Sequence, residues 1–516
     1  MSYHLMDYFA FFLPVVLLLY QMAPQKGRPV VLLLANYAFF YLISGPLVVY
    51  MLFSTIFTHY IGLWLENISL TTEGDAKTIV KKKRQVLLFG LVISIGILAV
   101  LKYFNFFGQT VSGLLGLFHV NWVYEPIKFM VPIGISFYTL QIITYITDVY
   151  RGTQKAEYNL MKIALYLSFF PTIMEGPICR YSQIGEDLYA GRSITFHNLK
   201  FGYQRIVWGL FKKIVIADRL YATVSYVFEN YHDLDGSIIA FGAICYTAQL
   251  YMEFSGCIDI IIGSGEILGI TLPENFRQPF AAKDASEFWR RWHISLGAFF
   301  KDYIFYPVSL AKPCKDIAKK VKEKFGRKVS KFVAPTIALF AVWSCNGLWH
   351  GANWTFIFYG MFYFVLIFIE NITEDPIKKL TAKLHIKRES KGYRVFQMMK
   401  MFVIINVGEL FFRADTLGDA FTMLKRVVSE FHISELIFGI SSLKMDTADL
   451  IVVALGIVVV TVVGMLHERN IKIREEIEKW TVPVRWSVWY AAILVVIMFG
   501  AYGTGYSIVE MIYAGY

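Results

Sequence analysis

Charge is scarce in this sequence. Of its 516 residues only 17% are Asp, Glu, Lys or Arg, where a soluble domain carries about a quarter. The shortfall excludes a single water-soluble globule, because 56% of the chain is hydrophobic and its mean hydropathy is +0.50. Lipid has to cover much of that apolar surface. Cysteine is scarce too. The five, Cys179, Cys245, Cys257, Cys314 and Cys345, form no CxxC pair, and four lie in apolar or motif-like stretches. That pattern argues against a disulfide framework and against a zinc cluster. No internal repeat and no low-complexity linker is found. A secretory leader is not read at the start either. Residues 5–20 are apolar, but no Lys or Arg precedes Lys26 and no small-residue cleavage site follows, so this stretch is expected to stay as a first span.

What the sequence has instead is a series of apolar runs, each near the length that crosses a hydrocarbon core. They fall at 5–20, 28–44, 46–65, 86–107, 129–147, 203–227, 238–253, 332–349, 354–371, 396–412, 449–466 and 486–503. The expectation is an all-α polytopic integral membrane protein of about twelve spans, forming a single membrane-embedded domain over 1–516. Lys and Arg then set the orientation. Lys77, Lys81, Lys82, Lys83 and Arg84 share one loop; residues 311–331 hold nine basic residues against two acids, and residues 372–395 hold seven against three. Arg469, Lys472, Arg474 and Lys479 form a fourth basic loop, whereas 228–237 carries Glu229, Asp233 and Asp235 with no Lys or Arg. Alternating the spans puts every basic loop in the cytoplasm and both termini outside. The net charge of +11 is thereby accounted for by topology and anionic lipid, without nucleic acid.

Two stretches resist reading as simple spans. Residues 155–200 are broken at Phe170-Pro171 and Gly176-Pro177. Residues 273–310 are aromatic but carry Arg277, Lys283, Asp284, Glu287, Arg290, Arg291, His293, Lys301 and Asp302. Irregular or charged backbone at membrane depth survives only inside protein or beside a wet cavity, so both read as re-entrant or surface segments on the cytoplasmic side. Residues 418–430 read as a short amphipathic helix on the outer surface.

Ionisable groups inside membrane spans are functional candidates by default. His350 sits between two apolar runs in Ser344-Cys345-Asn346-Gly347-Leu348-Trp349-His350-Gly351-Ala352-Asn353-Trp354. Gly347 and Gly351 leave room for a close approach to the backbone. Asn346, four residues before His350, shares its helical face and could hold the imidazole in one tautomer. A buried histidine satisfied by a neighbour would look similar. Cys345 lies on a different face, which disfavours a Cys/His nucleophile pair, and His293 with His350 lacks metal-ligand spacing. The second constellation is Phe288-Trp289-Arg290-Arg291-Trp292-His293-Ile294-Ser295-Leu296, continuing to Lys301-Asp302-Tyr303. Its cations suit an anionic donor such as coenzyme A or a phosphopantetheine, and equally suit an interfacial anchor helix.

Four blocks carry a family resemblance. The first runs from Val131 to Gln141 (Val-Pro-Ile-Gly-Ile-Ser-Phe-Tyr-Thr-Leu-Gln), with Tyr145 and Asp148-Val149-Tyr150 beyond it. The second is Phe169-Phe170-Pro171, Gly176-Pro177-Ile178 and Arg180-Tyr181. The third is Glu274-Asn275-Phe276 and Pro279-Phe280 running into the Trp-Arg-Arg-Trp-His block, and the fourth is the block around His350. Together they resemble the membrane-bound O-acyltransferases, within the bacterial branch that O-acetylates alginate and peptidoglycan and D-alanylates teichoic acid. The similarity is strongest over 131–415. The usual Asp-Phe-Ser-Gly-Tyr-Ser-Asp block reads Glu253-Phe254-Ser255-Gly256-Cys257-Ile258-Asp259 here, and Glu175 stands where a small residue usually precedes the Gly-Pro turn.

The resemblance implies His350 as the catalytic histidine with His293 as its partner, and a thinned core with a cytoplasmic donor funnel and an outer acceptor funnel. It implies no permanently bound cofactor. An acyl thioester, acetyl-coenzyme A or an acylated phosphopantetheine carrier, is the expected donor, with Arg290 and Arg291 on its phosphates. His350 would act as base, with His293 and Asn346 as candidates for oxyanion support. The expected location is the bacterial cell membrane, and the expected acceptor an envelope polysaccharide. Two alternatives are D-alanyl transfer to teichoic acid and a transporter using the histidines as a proton relay. The outer tail, 504–516, ends Met511-Ile512-Tyr513-Ala514-Gly515-Tyr516. It resembles a terminal motif of related systems in which a tyrosine, here Tyr513, carries the acyl group to an SGNH-like partner enzyme outside. The first aromatic of that motif is replaced by Met511.

Overall fold

Apolar runs without interior breakers become helices, and the breakers decide where each ends. The computed structural model describes residues 2–5, 7–71, 75–440, 443–502, 506 and 509. Among the described residues every regular element is helical, so the chain is all-α. Tyr513 and Tyr516 lie outside the described residues.

Among the described residues, seven helical stretches are long and apolar enough to cross a membrane: Arg28–Thr71, Ala76–Leu117, Arg327–His350, Trp354–Lys383, Lys391–Arg413, Thr447–Glu468 and Val482–Phe499. The first holds two of the expected windows. Its helices Arg28–Ser44 and Val48–Thr71 meet at the turn Gly45–Leu47, where Pro46 lacks the N–H that would continue the ladder. The other four expected windows fall on helices of a different kind. Asp7–Met22 is apolar but short. The window 129–147 begins as extended chain and turns helical at Ile135, after Gly134 in the left-handed region with φ 78°. The window 203–227 is interrupted by a π-helical turn, Phe211–Ala217. The window 238–253 belongs to Gly236–Ile267, which carries Glu253, Asp259 and Glu266. Length and composition thus support seven stretches where the sequence suggested about twelve spans.

The described residues gather into two compact units. One holds the residues up to Ile206 with Ile258–Pro273; the other holds Val207–Cys257 and the residues from Glu274 to 509. In the first, the broken stretch 155–200 forms helices Leu160–Ser168 and Tyr181–Tyr189 around a buried turn. The turn survives because its backbone is served from inside. Asn36 Oδ1 accepts from the Phe170 amide at 3.0 Å, and Tyr3 Oη donates to the Phe170 carbonyl at 2.6 Å. Rings of Tyr3, Tyr8, Phe12 and Phe39 close around Phe170.

In the second unit, the charged stretch 273–310 forms short helices, among them Ala285–Arg291 and Ile294–Phe300. The basic loop after it is the helix Lys312–Phe325, with Cys314 buried and its lysines outward. The expected amphipathic segment at 418–430 is the helix Leu417–Ser429, which buries Ala420 and Met423. Inside this unit Lys213 is fully buried and paired with Asp218 at 2.6 Å and Glu253 at 3.0 Å, so the buried ammonium is met by two carboxylates.

Candidate active site

The helix Arg327–His350 stops at its histidine because Gly351 takes a φ of 154° that side-chain-bearing residues rarely adopt, and because a new helix is capped two residues later. Asn353 Oδ1 accepts from the Thr355 amide at 3.1 Å and starts Trp354–Lys383. The two helices form a tight hairpin. A Cβ on Gly347 would stand 2.6 Å from the Phe356 carbonyl, one on Gly351 would stand 2.6 Å from the Phe356 ring, and one on Gly360 would strike the Trp343 carbonyl. The close approach that Gly347 and Gly351 permit is therefore taken by the following helix.

His350 is buried at the closed end of this hairpin. Its ring meets Phe412 edge-on at 5.0 Å between centroids, Tyr359 at 6.0 Å and Phe356 at 6.4 Å. Asn346 is buried one turn earlier, but its Oδ1 has no hydrogen-bond partner among the described residues. Aromatic packing surrounds the imidazole, and the Asn346 carbonyl is left for another group. Tyr359 Oη donates to Glu409 Oε1 at 2.9 Å, and Glu409, on the third helix Lys391–Arg413, is 1% exposed. Sequence reading missed Glu409. Its signal was present, since a carboxylate in the apolar run Phe402–Phe412 is a costly residue that calls for a partner.

The Trp-Arg-Arg-Trp-His block divides its labour. Trp289 packs into the hairpin against Trp343 at 4.8 Å and Tyr363 at 5.0 Å. Arg291 is committed to structure: it pairs with Glu287 at 2.9 Å and Glu468 at 2.6 Å, and donates to the Arg277 carbonyl at 3.2 Å. Arg290 is exposed. Of the two arginines, only Arg290 presents its guanidinium outward.

His293 opens the helix Ile294–Phe300 with a left-handed φ of 46° and is 1% exposed. Its ring stands edge-on to Phe254 at 4.9 Å, and Nδ1 lies 3.2 Å from Asn275 Oδ1. Burial, with the nearby His350 adding to it, holds the imidazole well below the ordinary histidine range, so it is neutral at neutral pH. Both histidines are buried in the same compact unit. Buried polar atoms without partners among the described residues accumulate in this unit: Asn346 Oδ1, Thr355 Oγ1, Glu409 Oε2, Trp289 Nε1 and His293 Nε2. Each such atom costs about 1–3 kcal/mol when left unmet, so a polar substrate gains by meeting them. Two buried imidazoles and desolvated walls suit proton removal from a hydroxyl.

Known proteins identify the family. Residues 149–408 match the family model described as MBOAT, membrane-bound O-acyltransferase family. The probable alginate O-acetylase AlgI of Azotobacter vinelandii is 31% identical over 456 residues, covering 88% of this chain and 83% of that protein. The peptidoglycan O-acetyltransferase of Helicobacter pylori is 29% identical over 374 residues, covering 67% and 65%. The teichoic acid D-alanyltransferase of Bacillus subtilis is 28% identical over 292 residues, covering 54% and 70%. The matched span contains both histidines and the hairpin that holds His350, and from that agreement of sequence and site we conclude that this multi-pass membrane acyltransferase belongs to the membrane-bound O-acyltransferase family.

Proposed function

We propose that the chain moves an acetyl group from a cytoplasmic thioester to a hydroxyl of a cell-envelope polysaccharide. The observation that carries the reading is a pair of buried histidines, one at the end of the Arg327–His350 helix and the other before Ile294. The names of the alginate and peptidoglycan relatives favour acetyl and polysaccharide over D-alanyl and teichoic acid, because they cover more of this chain. The donor is acetyl-coenzyme A or an acylated phosphopantetheine carrier, and Arg290 meets its phosphates from the cytoplasmic side.

In the reaction the acceptor oxygen attacks the thioester carbonyl carbon. The new C–O bond forms, the C–S bond breaks, and the hydroxyl proton passes through His350 to the departing thiolate. A thioester is already activated, so positioning and electrostatic support supply the remaining acceleration. Asn346 has a side-chain amide close by for that support. Both termini lie outside the bacterial cell membrane in this reading. Tyr513 accepts the acetyl group there as a phenol ester, which an SGNH-like partner enzyme then spends on the polymer, a phenolate being a better leaving group than an alkoxide.

The test is the mass of envelope polysaccharide from cells carrying His350→Ala, His350→Gln or Tyr513→Phe, with detergent-extracted protein checked for normal elution. Loss of O-acetyl groups in all three is expected. Normal acetylation with either well-folded His350 variant overturns the base assignment, and normal acetylation with Tyr513→Phe overturns the relay alone.

A further inference from the structure

We infer that Asn275 is a positioning residue that fixes His293 as the Nδ1–H tautomer, so that His293 enters the reaction as an acceptor of hydrogen at Nε2 rather than as an oxyanion donor. The inference deepens the acyl-transfer reading and rests on it.

The argument begins at the amide. The backbone N–H of Ser295 can only donate, and it reaches the Asn275 side chain at 2.9 Å. The atom it reaches is therefore the carbonyl oxygen, since an amide NH2 there would oppose donor to donor. Ser295 Oγ donates to the same oxygen at 2.9 Å. His293 Nδ1 lies 3.2 Å from it. An oxygen with no hydrogen of its own can only accept, so the hydrogen between them belongs to Nδ1. A neutral imidazole carries one ring hydrogen, which leaves a lone pair at Nε2. That nitrogen is buried and has no hydrogen-bond partner among the described residues.

The backbone keeps this arrangement in place. Ile294 N donates to the Asn275 carbonyl at 3.0 Å and Arg277 N to the Arg291 carbonyl at 2.9 Å, so the two segments run side by side through the site. His293 is held at φ 46°, a conformation that costs a non-glycine residue about 1–3 kcal/mol and persists where the surroundings impose it. Asn275 itself is fully buried.

Three acceptor bonds converge on one oxygen, and their joint effect is to orient a single lone pair. Oxyanion support requires a donor aimed at the developing charge, and neutral His293 has none at Nε2. It can instead take a hydrogen bond from the acceptor hydroxyl, or from the His350 imidazolium, which carries N–H on both nitrogens once it has removed the proton. His293 ends the cycle unchanged. The titratable group facing it is His350. Among the charged side chains on neighbouring segments, Arg291 is paired with Glu287 and Glu468, Glu253 with Lys213, and Arg290 and Glu274 are exposed.

The test is thiol release from acetyl-coenzyme A by the full-length protein in liposomes, followed as a function of pH. Asn275→Asp keeps an oxygen for all three bonds but adds negative charge beside Nδ1–H. It favours the imidazolium, raises the pKa of His293, and removes the Nε2 lone pair at a higher pH. The acid limb of kcat should move up by about one pH unit or more. Asn275→Leu should lower plateau kcat about tenfold or more with little change in KM. An unshifted acid limb in Asn275→Asp overturns the proposal, as does normal kcat in Asn275→Leu. Asn275→Asp decides alone if Asn275→Leu does not fold. His293→Ala separates the two levels. Full thiol release by that variant overturns a role for His293 altogether, whereas its inactivity beside an unshifted Asn275→Asp profile overturns only the tautomer assignment.

Discussion

At the scale of single residues, two adjacent arginines with the same chemistry have different duties. Arg291 spends its donors on Glu287, Glu468 and the Arg277 carbonyl, while Arg290 is exposed. Arg290→Glu should raise the KM for acetyl-coenzyme A about tenfold with a small effect on kcat. Arg291→Gln should leave that KM nearly unchanged and lower stability by about 1.5–3 kcal/mol, the range for hydrogen bonds to charged groups. Steady-state kinetics in liposomes and thermal unfolding in detergent measure the two outcomes, and equal effects of both variants on KM would show that Arg291 also meets the donor. Both arginines were legible as candidates in the sequence. Which one was already occupied was not, because Glu468 lies 177 positions away along the chain.

At the scale of elements, the hairpin of Arg327–His350 and Trp354–Lys383 sets the position of His350. Gly347 permits the two helices to approach until its hydrogen faces the Phe356 carbonyl, where a Cβ would stand at 2.6 Å. The obstacle is backbone, which cannot swing aside. Gly347→Leu should therefore force the helices apart at a cost of about 1–3 kcal/mol or more and displace His350 from Phe412 and Tyr359. The expected result is a protein of lowered melting temperature with transfer reduced about a hundredfold, since a displacement on the order of 1 Å at a reacting group has that effect. Unchanged kcat in Gly347→Leu would show that the hairpin spacing does not govern the site. The sequence exposed the glycines and the histidine together as one block. It did not show that the room they leave belongs to Phe356, nor that Glu409 and Tyr359 stand behind the imidazole, because those contacts depend on which faces of three helices meet.

At the scale of the whole molecule, basic and acidic loops should separate across the bilayer. The helix Lys312–Phe325 shows Lys315, Lys319, Lys320 and Lys322 to its surroundings, and the segment 228–237 shows Asp233. Single cysteines at Lys320 and Asp233, in a background freed of other reactive thiols, should react with a membrane-impermeant reagent from opposite sides. Lys320→Cys should react only after the cytoplasmic face is opened and Asp233→Cys in intact cells. Labelling of both from one side would overturn the proposed topology, and with it the cytoplasmic entry of the donor. Windows such as 203–227 and 238–253 hold a π-helical turn or buried charge that composition alone averages away.

The sequence by itself determined the class of the molecule, its helical and membrane-embedded character and its family, and it singled out the two histidines as candidates. Those properties are local or compositional: hydropathy accumulates along a run, basic residues cluster within a loop, and the motif blocks are contiguous. Only the tertiary structure decided that Asn346 leaves its carbonyl unengaged, that Asn275 meets His293, that Arg291 is already paired, and that Lys213 is paired with Asp218 and Glu253. Each of these is a hydrogen bond or ion pair whose energy depends on distances of a few ångströms within a buried, low-dielectric interior. Spacing along the chain does not encode such distances when the partners come from different helices.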